Sequence, residues 1–161
     1  MKKRSQADPY TEGLALLARR ELFTEELRSR LLRQGCNAQQ VEEAIRRLTE
    51  RGALNNLRAA KSYARHAVQN KFRGRSRVLK ELDHRGVSPS DSQQATDEAY
   101  RDINEAILLS RVLSRKLNGP IKTQAHFRRL YAALLRQGFD GTDIVKLLKA
   151  KITSTDFSID R

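Results

Sequence analysis

The 161-residue sequence contains one cysteine, no tryptophan and three prolines, and aromatic residues make up only 6% of it. The single cysteine, Cys36, excludes an intramolecular disulfide and points to a reducing compartment. The scarcity of aromatics argues against a large β-sandwich, whose strands draw on more aromatic and β-branched side chains. No apolar run approaches the roughly 20 residues that cross a bilayer. Met1-Lys2-Lys3-Arg4-Ser5-Gln6 leads into Ala7-Asp8-Pro9 and not into an apolar stretch, which is not the pattern of a secretory signal. A cytoplasmic protein with no membrane partner is expected.

Catalytic patterns are missing as well. The eight glycines form no phosphate loop, dinucleotide fingerprint or Gly-x-Ser-x-Gly elbow. His66, His84 and His126 lack His-x-x-x-His spacing, and one cysteine adds little toward a zinc site. The carboxylate pairs Glu25-Glu26 and Glu42-Glu43 are read as first-turn residues that favour a helix dipole. The chain is therefore not expected to be an enzyme, and neither a metal nor a cofactor is expected. Cys36 is read as a small apolar contact, not as a redox sensor.

What the sequence has in excess is positive charge. Lys and Arg total 32 against 19 Asp and Glu, for a net +13. Such a balance favours an acidic partner, either nucleic acid or an acidic protein surface. The hydrophobic fraction of 39% still supports a packed core.

The chain also repeats itself. Leu31-Leu32-Arg33-Gln34-Gly35 recurs unchanged as Leu134-Leu135-Arg136-Gln137-Gly138, and Leu82-Asp83-His84-Arg85-Gly86 lies between them. Eight residues before each glycine stands Leu27, Val78 or Leu130, and four before stands Leu31, Leu82 or Leu134. Each i,i+4 pair marks one helix face. The glycine fits a helix C′ position, and Cys36, Val87 or Phe139 can fold back onto the last turn. Asn37, Ser88 and Asp140 then suit the N-cap of a following helix, with Pro89 at a first helical position.

These signals predict an all-α fold of three tandem three-helix repeats of about 50 residues, forming an elongated, curved array. A flexible N-terminus covers residues 1–9. Repeat one (10–55) has helices near 10–22, 24–34 and 38–51. Repeat two (56–105) has helices near 56–72, 75–85 and 89–105. Repeat three (106–151) has helices near 103–117, 123–137 and 141–151, and a tail covers 152–161. The stretch Tyr100 to Asn104 has no Gly or Pro, so two helices are allowed to run together there.

Charge concentrates in the second repeat. Residues 57–85 carry nine basic and two acidic side chains, more than half the net charge. Lys71, Arg73, Arg75 and Arg77 surround Gly74 in what reads as a flexible positive corner between helices. Phe72 is read as the anchor of a helix end in preference to a base-stacking ring. Arg58, Lys61 and Arg65 extend the corner back along one helix face, and Lys80 and Arg85 extend it forward. In repeat three, Arg111, Arg115 and Lys116 form a similar edge, with Arg128 and Arg129 on the next helix. These fourteen cations are the candidate binding surface, most of them without a partner in sequence.

Taken in order, the segments resemble the RecX family of regulators of the recombinase RecA. The family pattern opens with an apolar helix and paired arginines, then Glu-Leu-x-x-x-Leu and a basic-Gly end. Here that is Ala15-Leu16-Leu17-Ala18-Arg19-Arg20, Glu26-Leu27, Leu31 and Arg33-Gln34-Gly35. The next signature, Gly-x-Leu-Asp-Asp-x-Arg-Phe-Ala, is similar to Gly52-Ala53-Leu54-Asn55-Asn56-Leu57-Arg58-Ala59-Ala60. The second-repeat signature resembles Lys71 through Val87. Asn55 and Asn56 replace an acidic pair, Ala59 an aromatic, Arg75 a proline and Phe23 a common serine.

The resemblance implies a monomer lodged in the groove of the RecA–single-stranded DNA filament, dampening ATP hydrolysis, strand exchange and coprotease activity. Its partners would be the RecA nucleoprotein filament and DNA, single-stranded first and double-stranded second. The alternative is a free-standing helix-turn-helix-like DNA-binding protein. Against it, no helix offers a clear Asn, Gln and Arg cluster for base edges. A third reading is a scaffold that binds an acidic protein without DNA.

Overall fold

A computed structural model describes residues 8–152. Among them the chain forms α1 (Pro9–Leu17), α2 (Thr24–Arg33), α3 (Ala38–Glu50), α4 (Asn56–Gln69), α5 (Arg75–Asp83), α6 (Pro89–Tyr100), α7 (Glu105–Lys116), α8 (Gln124–Gln137) and α9 (Gly141–Lys149). The fold is all-α. The only β feature among the described residues is an isolated bridge between Ile121 and Ile152. The expected tail beyond Ile152 and the first seven residues lie outside the described residues.

The three glycine turns are local structures made by local sequence. Gly35, Gly86 and Gly138 have φ of 87°, 73° and 100°, the left-handed region where a Cβ is disfavoured. At each, the next residue's N–H donates to the carbonyl five residues back. These bonds are Cys36 to Leu31, Val87 to Leu82 and Phe139 to Leu134. The glycine N–H closes the inner bond to Leu32, Asp83 or Leu135. This is the Schellman motif three times over. The following helices start as expected: Asn37 accepts from Gln39 and Gln40, Ser88 from Asp91, and Asp140 from Thr142 and Asp143.

The structure departs from expectation at three places. α1 stops at Leu17, because Leu22 and Phe23 are needed in the core. Phe23 is extended, with ψ of 153°, and both side chains are buried. α6 and α7 do not run together. Asn104 accepts from the N–H groups of Ala106 and Ile107 and opens α7 afresh. Glu42 and Glu43 are not first-turn residues. They lie in the second turn of α3, where arginines pair with them.

The chain packs as two compact units, one comprising Met1–Tyr63 and Glu81–Ala95, the other Ala64–Lys80 and Thr96–Arg161. In the first, α1, α2 and α3 pack on one another around Leu22, Leu27, Leu31, Val41, Ile45, Leu48 and Leu54. Cys36 packs against this cluster, as expected of an apolar contact. In the second, α7, α8 and α9 pack together and bury Leu109, Val112, Leu113, Leu130, Leu134, Ile144 and Leu148. Full burial of one such leucine stabilises by about 1.5–3 kcal/mol.

Candidate functional site

The cations of the first unit are largely answered within it. Arg58 donates to the Glu21 carboxylate and to the carbonyls of Gly52 and Ala53, so its three nitrogens clamp the α3–α4 turn. Arg85 lies over the rings of Phe23 and Tyr63, 5.6 and 4.6 Å from their centroids. Tyr63 donates to Glu81 at 2.6 Å, and its burial pushes the hydroxyl above its ordinary pKa. Lys61 is half-buried on α4. Away from the sequence-nominated set, Arg28 pairs with Glu25 and Glu42, Arg46 with Glu43 and Glu50, and Glu26 with Arg20 and Arg30. An open cavity of about 760 Å³ between α1 and α3 is lined by Tyr10, Gln39, Gln40 and Arg47 among others, and by none of the fourteen nominated cations.

In the second unit the basic corner is docked and not flexible. The Gly74 N–H donates to the Gln137 carbonyl at 2.9 Å. A Cβ at Gly74 would sit 2.2 Å from the Gly138 carbonyl oxygen, and one at Gly138 would sit 2.4 Å from the Arg77 nitrogen. Two backbones therefore touch where both residues lack a side chain. The Gln137 side chain adds two bonds, accepting from Arg73 at 2.8 Å and donating to the Lys71 carbonyl at 3.1 Å. Arg77 donates to the Arg136 carbonyl at 3.0 Å. Arg75 pairs with Asp97 and Glu105 and lies over the Tyr100 ring, while the Tyr100 hydroxyl donates to the Arg73 carbonyl. The expectation that these cations lack intramolecular partners is thus overturned for Arg73, Arg75 and Arg77. Their acceptors lie on α6, α7 and α8, 22 to 64 residues away, which is why local sequence hides them.

Phe72 is half-buried at the corner, and its backbone is strained. Its φ of 50° is in the left-handed region, unusual for any residue with a Cβ. Such a conformation costs about 1–2 kcal/mol and is held by surrounding contacts. The guanidinium carbons of Arg111 and Arg115 lie over its ring, 4.8 and 4.2 Å from the centroid. These arginines stand one turn apart on α7, so the edge expected there is brought onto the Phe72 ring. Arg65 lies 3.9 Å from Glu98. Lys71, Lys80, Lys116, Arg128 and Arg129 are exposed.

No group of three or more His, Cys, Asp and Glu that could hold a metal occurs among the described residues. No helix there is long and apolar enough to cross a membrane. Guanidinium forks and a positive field suit the binding of anions.

Comparison with known proteins decides the family. The regulatory protein RecX of Vibrio vulnificus (strain CMCP6) is 35% identical over 128 residues, covering 79% of this chain and 82% of its own. The chain belongs to the RecX family. RecX of Pseudomonas fluorescens (strain SBW25) is 31% identical over 140 residues, covering 86% and 88%. RecX of Treponema pallidum (strain Nichols) is 32% identical over 120 residues, covering 73% of each. Two RecX crystal structures share the fold. A regulatory protein RecX superposes with a TM-score of 0.73 at 19% identity, over 90% of this chain and 71% of that one. RecX from Lactobacillus salivarius gives 0.67 at 17% identity, over 90% and 97%. No protein-family model matches the chain.

Two departures from the RecX pattern turn out to be linked. Phe23 stands where a serine could have capped α2. It is buried instead and meets Tyr63 edge-on at 6.3 Å. Asn56, from α4, supplies the missing cap: its Oδ1 accepts from the Thr24 N–H at 2.9 Å and the Thr24 hydroxyl at 3.1 Å. Asn55 accepts from the Arg58 N–H and caps α4 itself. Sequence reasoning missed that one of the pair serves a helix 32 residues away.

Proposed function

We propose that this RecX family member binds the RecA–single-stranded DNA filament and dampens its ATP hydrolysis, strand exchange and coprotease activity. In this reading it serves DNA repair, homologous recombination and the SOS response, and works by occupancy with no chemistry of its own. It acts as a monomer, occupying a filament groove that DNA or a repressor substrate needs. The observation that carries the reading is identity to RecX regulatory proteins over as much as 86% of the chain. The net charge of +13 supports it, since a nucleoprotein filament presents phosphate and carboxylate together.

The docked corner refines which cations are offered. Arg58, Arg73, Arg75 and Arg77 spend their donors inside the fold. The other nominated cations of the proposal are Arg65, Lys71, Lys80, Arg111, Arg115, Lys116, Arg128 and Arg129 in the second unit and, separately, Lys61 and Arg85 in the first.

The test is RecA ATPase on single-stranded DNA with added protein. Stoichiometric or lower amounts should depress it. Unchanged ATPase, strand exchange and filament length at saturating protein would reject the reading. Gel shifts with single-stranded and duplex DNA, with and without RecA and a slowly hydrolysed ATP analogue, separate a filament binder from a free-standing DNA-binding protein.

A further inference from the structure

Residues 106–139 contain Arg111, Arg115, Lys116, Lys122, Arg128, Arg129 and Arg136 and no Asp or Glu. They span almost all of α7 and all of α8, which pack on each other. Most of these cations are ordinary solvated ends. Arg111 and Arg115 are different. Each guanidinium is laid over the Phe72 ring, and among the described residues neither has a carboxylate partner. Stacking fixes the plane of a guanidinium and leaves its N–H edge for a ligand, so less side-chain freedom remains to be lost on binding. The four-residue separation sets the two residues about 6 Å apart along the axis of α7. That matches the step between neighbouring phosphates on a strand. One turn earlier on the same stripe, Ile107 is 67% exposed and offers an apolar foot to a sugar or base.

We infer that Arg111 and Arg115, held on Phe72, seat successive phosphates of a nucleic-acid backbone. The chemistry is phosphodiester, not carboxylate. Where this chain meets carboxylates, at Arg28, Arg46 and Arg75, each guanidinium is matched by acids close at hand; residues 106–139 instead assemble seven cations and contain no acid of their own. Such a stretch suits a polyanion that releases counterions on binding. The inference rests on the filament-binding reading and deepens it by making the DNA strand itself a direct contact.

The experiment is fluorescence anisotropy of a labelled single-stranded oligonucleotide, and of its duplex, across a salt series without RecA. Arg111→Ala/Arg115→Ala is compared with Arg19→Ala/Arg33→Ala, which removes the same charge from exposed residues of the first unit. On single strands the log–log salt slope of the first variant should fall by about 1.4, and on duplex by about 1.8. The form that loses more affinity names the source of the phosphates. Arg111→Lys/Arg115→Lys keeps the charge and should keep the slope while weakening binding several-fold. Phe72→Leu should do the same, because it removes only the ring. Equal behaviour of the two double-alanine variants would overturn the seat and leave a diffuse field. Loss of RecA inhibition with unchanged binding to naked DNA would overturn it in favour of RecA carboxylates. If wild-type protein leaves RecA ATPase unchanged while the double variant still loses DNA binding, the filament reading falls and the seat stands.

Discussion

Leu31-Leu32-Arg33-Gln34-Gly35 and Leu134-Leu135-Arg136-Gln137-Gly138 are the same five residues in two places. Both build a left-handed glycine and the same pair of Schellman bonds. Their surroundings are opposite. A Cβ on Gly35 would meet nothing within 4 Å, and Gln34 is exposed. Gly138 is pressed against Gly74 and Arg77, and Gln137 ties down Lys71 and Arg73. One copy ends a helix. The other ends a helix and also holds the basic corner against α8. Identical sequence thus determines identical local geometry, while the neighbour determines what the geometry is for.

The sharpest way to break this comparison is Gly138→Ala against Gly35→Ala. Both place a Cβ at positive φ, which should destabilise by about 1–2 kcal/mol. Only the first also drives that Cβ into backbone, and overpacking adds roughly 1–3 kcal/mol. Urea denaturation should therefore separate the two variants by at least about 1 kcal/mol. Equal midpoints would mean the Gly74–Gly138 approach contributes nothing.

Next in size is Gln137→Ala against Gln34→Ala. The first loses two side-chain hydrogen bonds that pin the corner, for roughly 1–3 kcal/mol in total. The second should lie within about 0.5 kcal/mol of wild type, as exposed positions do. Faster amide exchange at Arg73 and Gly74 in Gln137→Ala alone would confirm where the energy sits. Equal loss in both variants would place it in the helix end.

What was legible in the sequence follows the same division. Glycine turns, N-caps and i,i+4 leucine pairs are decided within six residues, so the helices could be placed from them. The roles of the cations could not, because Arg73 is satisfied by Gln137, 64 residues away, and Arg75 by Asp97 and Glu105. A charge census counts cations and not their acceptors. One signal was available and unused: residues 106–139 hold seven cations and no acid. The break before α7 was also legible, since Asn104 is a strong N-cap type that needs no glycine.

The starts of the equivalent helices α2 and α8 differ in the same way. α8 is capped locally by Thr123, which accepts from the His126 N–H at 3.2 Å, whereas α2 borrows Asn56 from α4. Thr123→Ala and Asn56→Ala should each lose about 1 kcal/mol. Only Asn56→Ala should also raise exchange in α4, because the borrowed cap joins two helices. Asn56→Asp restores an acceptor oxygen and should restore stability. Failure of aspartate to do so would show that Asn56 acts by shape and not as a cap.

The smallest expected effect is acid sensitivity, and it contrasts the two charge regimes directly. Hydrogen bonds from Arg28 hold the Glu42 carboxyl below its ordinary value of 4.5, and bonds from Arg46 do the same for Glu43. A carboxyl whose pKa is lowered by folding contributes stability that is complete above the unfolded value and is lost as pH falls through the folded one. Both groups are fully exposed, so the contribution is small and salt-sensitive. Amide exchange in α3, corrected for its intrinsic pH dependence, should therefore quicken as pH drops below about 4.5. Residues 106–139 have no carboxylate to titrate, so exchange along α8 should hold steady until global unfolding. Glu42→Gln/Glu43→Gln should flatten the α3 response and leave α8 as it was. If α8 responds first, the acid-sensitive groups lie outside the pairs assigned here.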